Sequence, residues 1–149
     1  MRLEVKRLGP RHASLAADVG KSFAAGAAPL EYLERFLANP ANYLIAAHVE
    51  GDLAGFLLAY ALERLNEESH KMFIYEIEVA EGHRRKGVGT ALINYVRDIV
   101  KREKMVSAFL FTNYSNEAAV AFYKSTGAEV GNGDDLLFVY EGQAVARGR

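Results

Sequence analysis

A turn that combines basic side chains with glycines joins a strand-like segment to a helix-like segment in the second half of the chain. Its residues are Arg84, Arg85, Lys86, Gly87, Val88, Gly89 and Thr90. Glycine has no Cβ, so the backbone can approach a ligand closely. The first N–H groups of a helix also point outward with the positive end of its dipole. The chemistry that this spacing favours is the binding of a pyrophosphate group.

The same turn has a plainer interpretation, in which two capping glycines stand beside a solvated basic run. Other phosphate-binding loops need different patterns. A dinucleotide loop requires Gly-x-Gly-x-x-Gly, a Walker loop requires Gly-Lys followed by Ser or Thr, and neither pattern occurs in this turn.

Two carboxylates lie in the strand-like segment just before this turn. Glu76 and Glu78 are two positions apart among the apolar residues between Phe73 and Val79, and side chains at that spacing point to one face of a sheet. A carboxylate there is costly unless it is paired or lies in a cleft. An edge or solvent-facing strand would also carry alternating glutamates, but a strand that leads into a ligand-binding turn is usually central. The pattern therefore favours a site.

Composition limits the remaining function classes. The 149 residues, half of them hydrophobic and a quarter charged, predict one domain over residues 1–149. A net charge of −1 makes nucleic acid a poor partner. The absence of cysteine excludes disulfides and a cysteine nucleophile, and the four histidines are scattered, so no metal site is predicted. No apolar segment at the amino terminus is long enough for a signal peptide or a membrane span, which predicts a cytoplasmic protein without membrane contact.

The elements that must hold these residues follow from periodicity and from turn residues. Helices are predicted to begin at Pro10, Pro29, Val88 and Asn116, and Gly127 closes the last one. Strands are predicted at Leu3 to Arg7, Tyr43 to Val49, Leu53 to Ala61, Met72 to Val79, Val106 to Thr112 and Leu136 to Tyr140. This order predicts an α/β fold in which helices layer a mixed sheet.

Two motifs resemble those of the GNAT N-acetyltransferase superfamily. The first is Arg84-x-x-Gly87-x-Gly89, which is similar to the family's acetyl-CoA pyrophosphate signature, and the second is Asn116-x-x-Ala119-x-x-x-Tyr123-x-x-x-Gly127. The resemblance implies a GNAT fold, with a mixed and mostly antiparallel sheet of about six to seven strands flanked by about four helices. It also implies acetyl-CoA as the cofactor.

The resemblance assigns cofactor contacts along the chain. Main-chain groups of Ile77 and Val79 would bind the pantetheine arm, and an amide N–H there would polarise the thioester carbonyl. Asn116 would contact the coenzyme, and Tyr123 would be the acid that protonates the departing thiolate. Without the motif, Asn116 could simply cap its helix and Tyr123 could belong to an amphipathic core. The cofactor contacts implied by the family are Ile77, Val79, Arg84, Arg85, Lys86, Gly87, Val88, Gly89, Thr90 and Asn116.

Acetyl transfer to a primary amine requires a base, because the protonated amine cannot attack a thioester. Glu76 and Glu78 are the candidates, acting directly or through a water molecule. A covalent acyl-enzyme is not expected, since the chain has neither cysteine nor a Ser-His-acid pattern. Direct transfer in a ternary complex is the simpler mechanism.

Residues 74–94 are further similar to the aminoglycoside 3-N-acetyltransferases of the gentamicin and fortimicin type, and this resemblance implies an aminoglycoside substrate. Here Glu76 replaces an aspartate and Glu78 replaces a small residue of that group. The predicted substrate contacts are Tyr75, Glu76, Glu78, Asp134 and Asp135, to which the loop acids Glu67 and Glu68 would add negative charge.

The sequence leaves other functions open. Polyamines or a protein amine would be attracted by the same negative charge, and a catalytically inactive acyl-CoA sensor is the alternative from another class of protein. The family also implies a homodimer.

Overall fold

The computed structural model describes residues 1–142, and the chain divides into two compact units, Met1–Phe111 and Thr112–Arg149. The first unit contains the sheet, three helices and the turn at residues 84–90. The second unit contains one helix among its described residues. The prediction of one domain over residues 1–149 stays a prediction.

The helices and strands of the first unit lie close to their predicted positions. Short 3₁₀ turns precede α1 and follow β4. In chain order the elements are β1 (Leu3–Arg7), α1 (Ala13–Phe23), α2 (Leu30–Ala38), β2 (Asn42–Val49), β3 (Asp52–Glu63), β4 (His70–Val79), α3 (Val88–Arg102) and β5 (Ala108–Phe109), and the second unit contributes α4 (Glu117–Ser125).

The sheet has the strand order β1-β2-β3-β4-β5, which the sequence alone did not predict. The first three pairings are antiparallel and the last, between β4 and β5, is parallel. The prediction of a mixed and mostly antiparallel sheet with four helices is confirmed for residues 1–142.

The expected six to seven strands are not matched, because residues 1–142 form five strands. Of the six segments predicted as strands, one is shortened and one forms no strand. The segment Val106 to Thr112 reduces to the two residues of β5, and Leu136 to Tyr140 has no regular secondary structure. A strand forms only where a neighbouring strand supplies hydrogen bonds, and no described residue pairs with Leu136 to Tyr140.

Helices cover both faces of the sheet. On one face, α1 and α2 pack on a buried cluster that includes Leu44, Ala46 and Phe56. On the other face lies α3, which contacts β1 to β5 and buries Val88, Leu92, Ile93, Val96 and Ile99. We call these the α1/α2 face and the α3 face.

The strand β4 contains a β-bulge. Ile74 pairs with Ala59 of β3 and Glu76 pairs with the adjacent Leu58, so Tyr75 is an extra residue without a partner on β3. A bulge places two residues of one strand opposite one residue of the other and interrupts the alternation of side chains. Tyr75 and Glu76 are accordingly both exposed.

Candidate active site

Glu76 and Glu78 project from the α1/α2 face, as their spacing predicted. Glu76 pairs with Leu58 and Glu78 pairs with Phe56, and both of these apolar residues belong to the core under α1 and α2. Partial burial, and secondarily the neighbouring Glu78 carboxylate, raise the pKa of Glu76 above its ordinary value. Glu76 is thus a carboxylate whose affinity for a proton is enhanced, which suits a general base.

The edge of β4 opposite β3 is open beyond Phe73. The parallel ladder with β5 contains only the pairs Met72–Ala108 and Phe73–Phe109 within the described residues. The N–H of Ala80 donates to Ala54 O of β3. Because main-chain groups alternate in direction along a strand, those of Ile77 and Val79 face the opposite, open edge. This is the geometry that the family resemblance required for holding an extended pantetheine arm.

The turn before α3 contains two residues with left-handed backbone conformation. Arg85 has φ 62° and Gly87, the N-cap of α3, has φ 81°. No side chain caps this helix, so the N–H groups of its first turn are not used by a capping side chain. A turn in which left-handed residues alternate with right-handed ones can point successive N–H groups at one anion. The turn therefore fits a pyrophosphate. Val88 is only 1% exposed, so the start of α3 is anchored in the core.

The Arg84 side chain makes a hydrogen bond to the end of β4. Its Nε donates to the Val79 carbonyl at 3.2 Å, so its side chain joins the turn to the end of β4. Arg85, Lys86 and Thr90 are exposed. This hydrogen bond holds the strand end relative to the turn, and the cofactor contact predicted for Arg84 stays a prediction.

Gly55 permits the close packing of β3, β4 and the start of α3. It lies in β3 opposite Val79. A Cβ at this position would lie 2.7 Å from Glu78 O, 3.3 Å from Val79 Cα and 3.3 Å from Val88 Cγ1. Sequence reasoning did not select Gly55, because the need for glycine arises from strand register, which no local pattern reveals.

Four predicted site residues belong to the second unit. Asn116 caps α4, since its Oδ1 accepts from the Ala119 N–H at 3.1 Å. Tyr123 is half-buried, and this burial raises its pKa. Asp134 and Asp135 are exposed, and the Asp134 N–H donates to Asn132 Oδ1 at 3.0 Å. The structure therefore groups Glu76, Glu78, the open edge and the turn in the first unit, and it holds these four residues in the second.

The loop acids are on the surface. Glu67 forms an ion pair with Arg64 at 2.8 Å, and Glu68 is exposed. The structure instead brings Tyr60 near Glu76. Burial is the main cause of the raised pKa of Tyr60, and Tyr75, Glu76 and Tyr32 add to it. Tyr60 was missed because it lies in another strand.

Residues 1–142 contain neither a cluster of metal ligands nor a helix that could cross a membrane. No group of three or more His, Cys, Asp or Glu side chains is arranged to hold a metal ion. Among the same residues, every helix is too short or too polar to cross a membrane.

Comparison with known proteins identifies the family. Residues 14–128 match the family model described as acetyltransferase (GNAT) family. Streptothricin acetyltransferase from Streptomyces lavendulae is 31% identical over 100 residues, which are 67% of this chain and 50% of that protein. The chain thus spans about half the length of this curated relative.

Solved structures from uncultured soil metagenomic samples share the fold. An aminoglycoside acetyltransferase, meta-AAC0020, in complex with sisomicin has a TM-score of 0.87 at 22% identity, covering 95% of this chain and 97% of that chain. A second aminoglycoside acetyltransferase, HMB0005, has a TM-score of 0.80 at 26% identity, covering 94% of this chain and all of that one.

These matches agree with the geometry of the turn, the open strand edge and the paired carboxylates. Acetyl-CoA is the acetyl donor in this family, and the uncapped helix start and open edge of β4 fit it. The chain is a member of the GNAT family of acetyltransferases.

Proposed function

We propose that this protein is an N-acetyltransferase of aminoglycoside antibiotics, with the 3-amino group as the acceptor by sequence resemblance. One observation carries the proposal: Glu76 and Glu78 project together from a largely apolar sheet face, on the strand that leads into the uncapped turn. Aminoglycosides carry several ammonium groups, which two adjacent carboxylates attract. Modification of such antibiotics would confer resistance.

Glu76 is the proposed general base. Its raised pKa brings its proton affinity closer to that of an acceptor amine than an ordinary glutamate would allow. It takes a proton from the acceptor nitrogen directly or through one water molecule. Glu78 then holds a second positive charge of the acceptor or relays the proton.

The donor site is proposed to be built mainly from backbone. Acetyl-CoA, when bound, supplies an acetyl group activated as a thioester. The N–H groups of Gly87 to Thr90 bind the pyrophosphate, with Arg85 and Lys86 adding charge. The main chain of Ile77 and Val79 binds the pantetheine arm, and an N–H at this edge polarises the thioester carbonyl. Arg84 positions the strand end through Val79 O.

Tyr123 and Asn116 take the roles that the family motif implies. Tyr123 donates its phenolic proton to the departing thiolate. Burial raises the pKa of this phenol further above neutral pH, so it carries the proton before transfer. Asn116 contributes a contact to the coenzyme besides its cap of α4. Asp134 and Asp135 remain proposed substrate contacts, and transfer is direct within a ternary complex.

Thiol release from acetyl-CoA provides the test, with gentamicin, spermidine and a peptide amine as acceptors. Gentamicin turnover, with mass spectrometry locating the acetyl group on the 3-amino nitrogen, supports the proposal. Turnover of only the other amines supports a small-amine or protein N-acetyltransferase. Tight coenzyme A binding without any turnover supports a non-catalytic acyl-CoA sensor, against which the retention of Glu76 and Tyr123 argues.

We also propose a cytoplasmic homodimer with one domain per chain. The run Leu136, Leu137, Phe138, Val139 and Tyr140 is 60% to 98% exposed. Consecutive exposed apolar residues of high β-propensity are typical of a strand that pairs with another chain. Light scattering of the wild-type protein measures this assembly.

A further inference from the structure

A row of aromatic rings crosses the α1/α2 face beside Glu76. Tyr60 of β3 pairs with Phe73 of β4, and Phe73 pairs with Phe109 of β5. Partners in adjacent strands project from the same face of a sheet. The aromatic row therefore starts next to the proposed base, and its members are Tyr60, Tyr75, Phe73, Phe109 and Phe111.

The rings contact one another continuously. Tyr75 meets both Tyr60 and Phe73 edge-on, with ring centroids 5.8 Å apart in each pair. Phe73 is stacked on Phe109 at 5.0 Å, and Phe111 meets Phe73 at 6.0 Å. Such mutual contacts restrain each ring, so the row is a rigid surface that requires little ordering when a ligand binds.

Part of the aromatic row is exposed to solvent. Tyr75 remains 50% exposed and Phe111 71% exposed. Tyr75 owes its position to the bulge, which adds it to the strand without a partner on β3. The faces of aromatic rings carry partial negative charge and attract cations. The two carboxylates beside the row add to that attraction, so this surface suits a positively charged ligand.

We propose that the aromatic row binds an ammonium group of the acceptor other than the reacting amine at Glu76 and any charge held by Glu78. The inference rests on the proposed function and specifies its substrate class as polycationic amines. Tyr75 supplies the principal cation–π contact, and its hydroxyl is not required. Affinity should therefore depend on the ring at residue 75 more than on its polarity.

Gentamicin binding to the full chain in the presence of coenzyme A tests this inference, measured by titration calorimetry without any need for turnover. The Tyr75→Leu variant keeps apolar area but loses the ring, and we expect its Kd to rise roughly three- to thirtyfold. The matched Tyr75→Phe variant keeps the ring and should bind within about twofold of wild type. Glu4→Gln, at an exposed position of the distant strand β1, controls for charge and should bind like wild type.

A second measurement uses the wild-type protein, so its result does not depend on whether a variant folds. The ring-proton resonances of Tyr75 should shift on titration with gentamicin and not with uncharged trehalose. Equal affinity of the wild-type and Tyr75→Leu proteins, unmoved Tyr75 resonances, or no gentamicin binding would each overturn the inference. Thiol release reports the proposed function separately: turnover with unchanged Tyr75→Leu affinity refutes the aromatic subsite alone, whereas gentamicin binding without turnover refutes only the proposed function.

Discussion

Substitution of Gly55 by alanine tests whether the open edge of β4, where acetyl-CoA is proposed to bind, depends on the close approach of the β3 and β4 main chains. The added Cβ would lie 2.7 Å from Glu78 O, and ordinary contacts begin at 3.4 Å, so these atoms must separate by about 0.7 Å to reach an ordinary contact. Glu78 O and Val79 Cα are main-chain atoms that no rotamer change can remove. Gly55 does not have a positive φ, so the cost is one of space alone.

The magnitude follows from the crowding of a packed region. Adding a methyl group where neighbours cannot yield costs about 1–3 kcal/mol, and one kcal/mol shifts the Tm of a chain of this size by roughly 3–4 °C. We therefore expect Gly55→Ala to lower the Tm by about 3–12 °C. Since Ile77 and Val79 move with the strand, acetyl-CoA affinity should fall by roughly tenfold as well, because misplacement by a fraction of an ångström weakens hydrogen bonds.

Thermal unfolding and calorimetric titration of acetyl-CoA measure the two effects. Gly82→Ala is the matched control, because no heavy atom lies within 4 Å of its added Cβ and its φ is ordinary. It should be neutral, or more stable by up to about 1 kcal/mol through loss of entropy in the unfolded chain. A Gly55→Ala protein that unfolds at the wild-type temperature and binds acetyl-CoA normally would refute the reasoning.

Four further predictions concern the site. Glu76→Gln should lower the rate of acetyl transfer by roughly 10²- to 10⁴-fold, with the deficit shrinking at high pH as the amine loses its proton unaided; an unaltered pH–rate profile would assign the base to Glu78 or water. Burial and Glu78 raise the pKa of Glu76 above 4.5 in the folded state, so folding is favoured while the group is protonated and stability declines as pH rises from 4.5 through the raised pKa. Denaturation of Glu76→Gln between about pH 4 and pH 8 should lack this decline. Tyr123→Phe should reduce kcat with little change in acetyl-CoA affinity, and unchanged kcat would exclude Tyr123 as the acid. Gly87→Ala has space for its Cβ but needs φ 81°, which costs about 1–2 kcal/mol; calorimetry should show weaker acetyl-CoA binding than for Gly82→Ala, and equal binding would contradict an anion-binding role for the turn.

Local signals accounted for the helices. Pro29 immediately precedes α2, and Gly127 follows α4 with φ 97°. The cap by Asn116 was also foreseen as one of its two interpretations. Each signal depends on a few neighbouring residues, because a helix satisfies its hydrogen bonds within its own segment. The paired position of Glu76 and Glu78 was predictable for a similar reason, since side-chain alternation is a local property of a strand.

Features that depend on partners distant in sequence were not predictable. Leu136 to Tyr140 has the composition of a strand, but pairing depends on whether another strand reaches it. The bulge at Tyr75 and the crowding at Gly55 arise from the register between β3 and β4. The aromatic contacts between Tyr60 and Tyr75 depend on the same register. Side chains from separate strands combine into a site only after the sheet is assembled.

Because of the bulge, the pairing of β3 with β4 does not depend on Tyr75. If Tyr75 were deleted, Ile74 would be followed directly by Glu76, and their partners Ala59 and Leu58 are already consecutive in β3. Regular alternation would then run through the whole strand, with both carboxylates and all apolar side chains still on their present faces. The sheet does not require Tyr75, so during evolution this aromatic side chain can be replaced or deleted while the fold is retained.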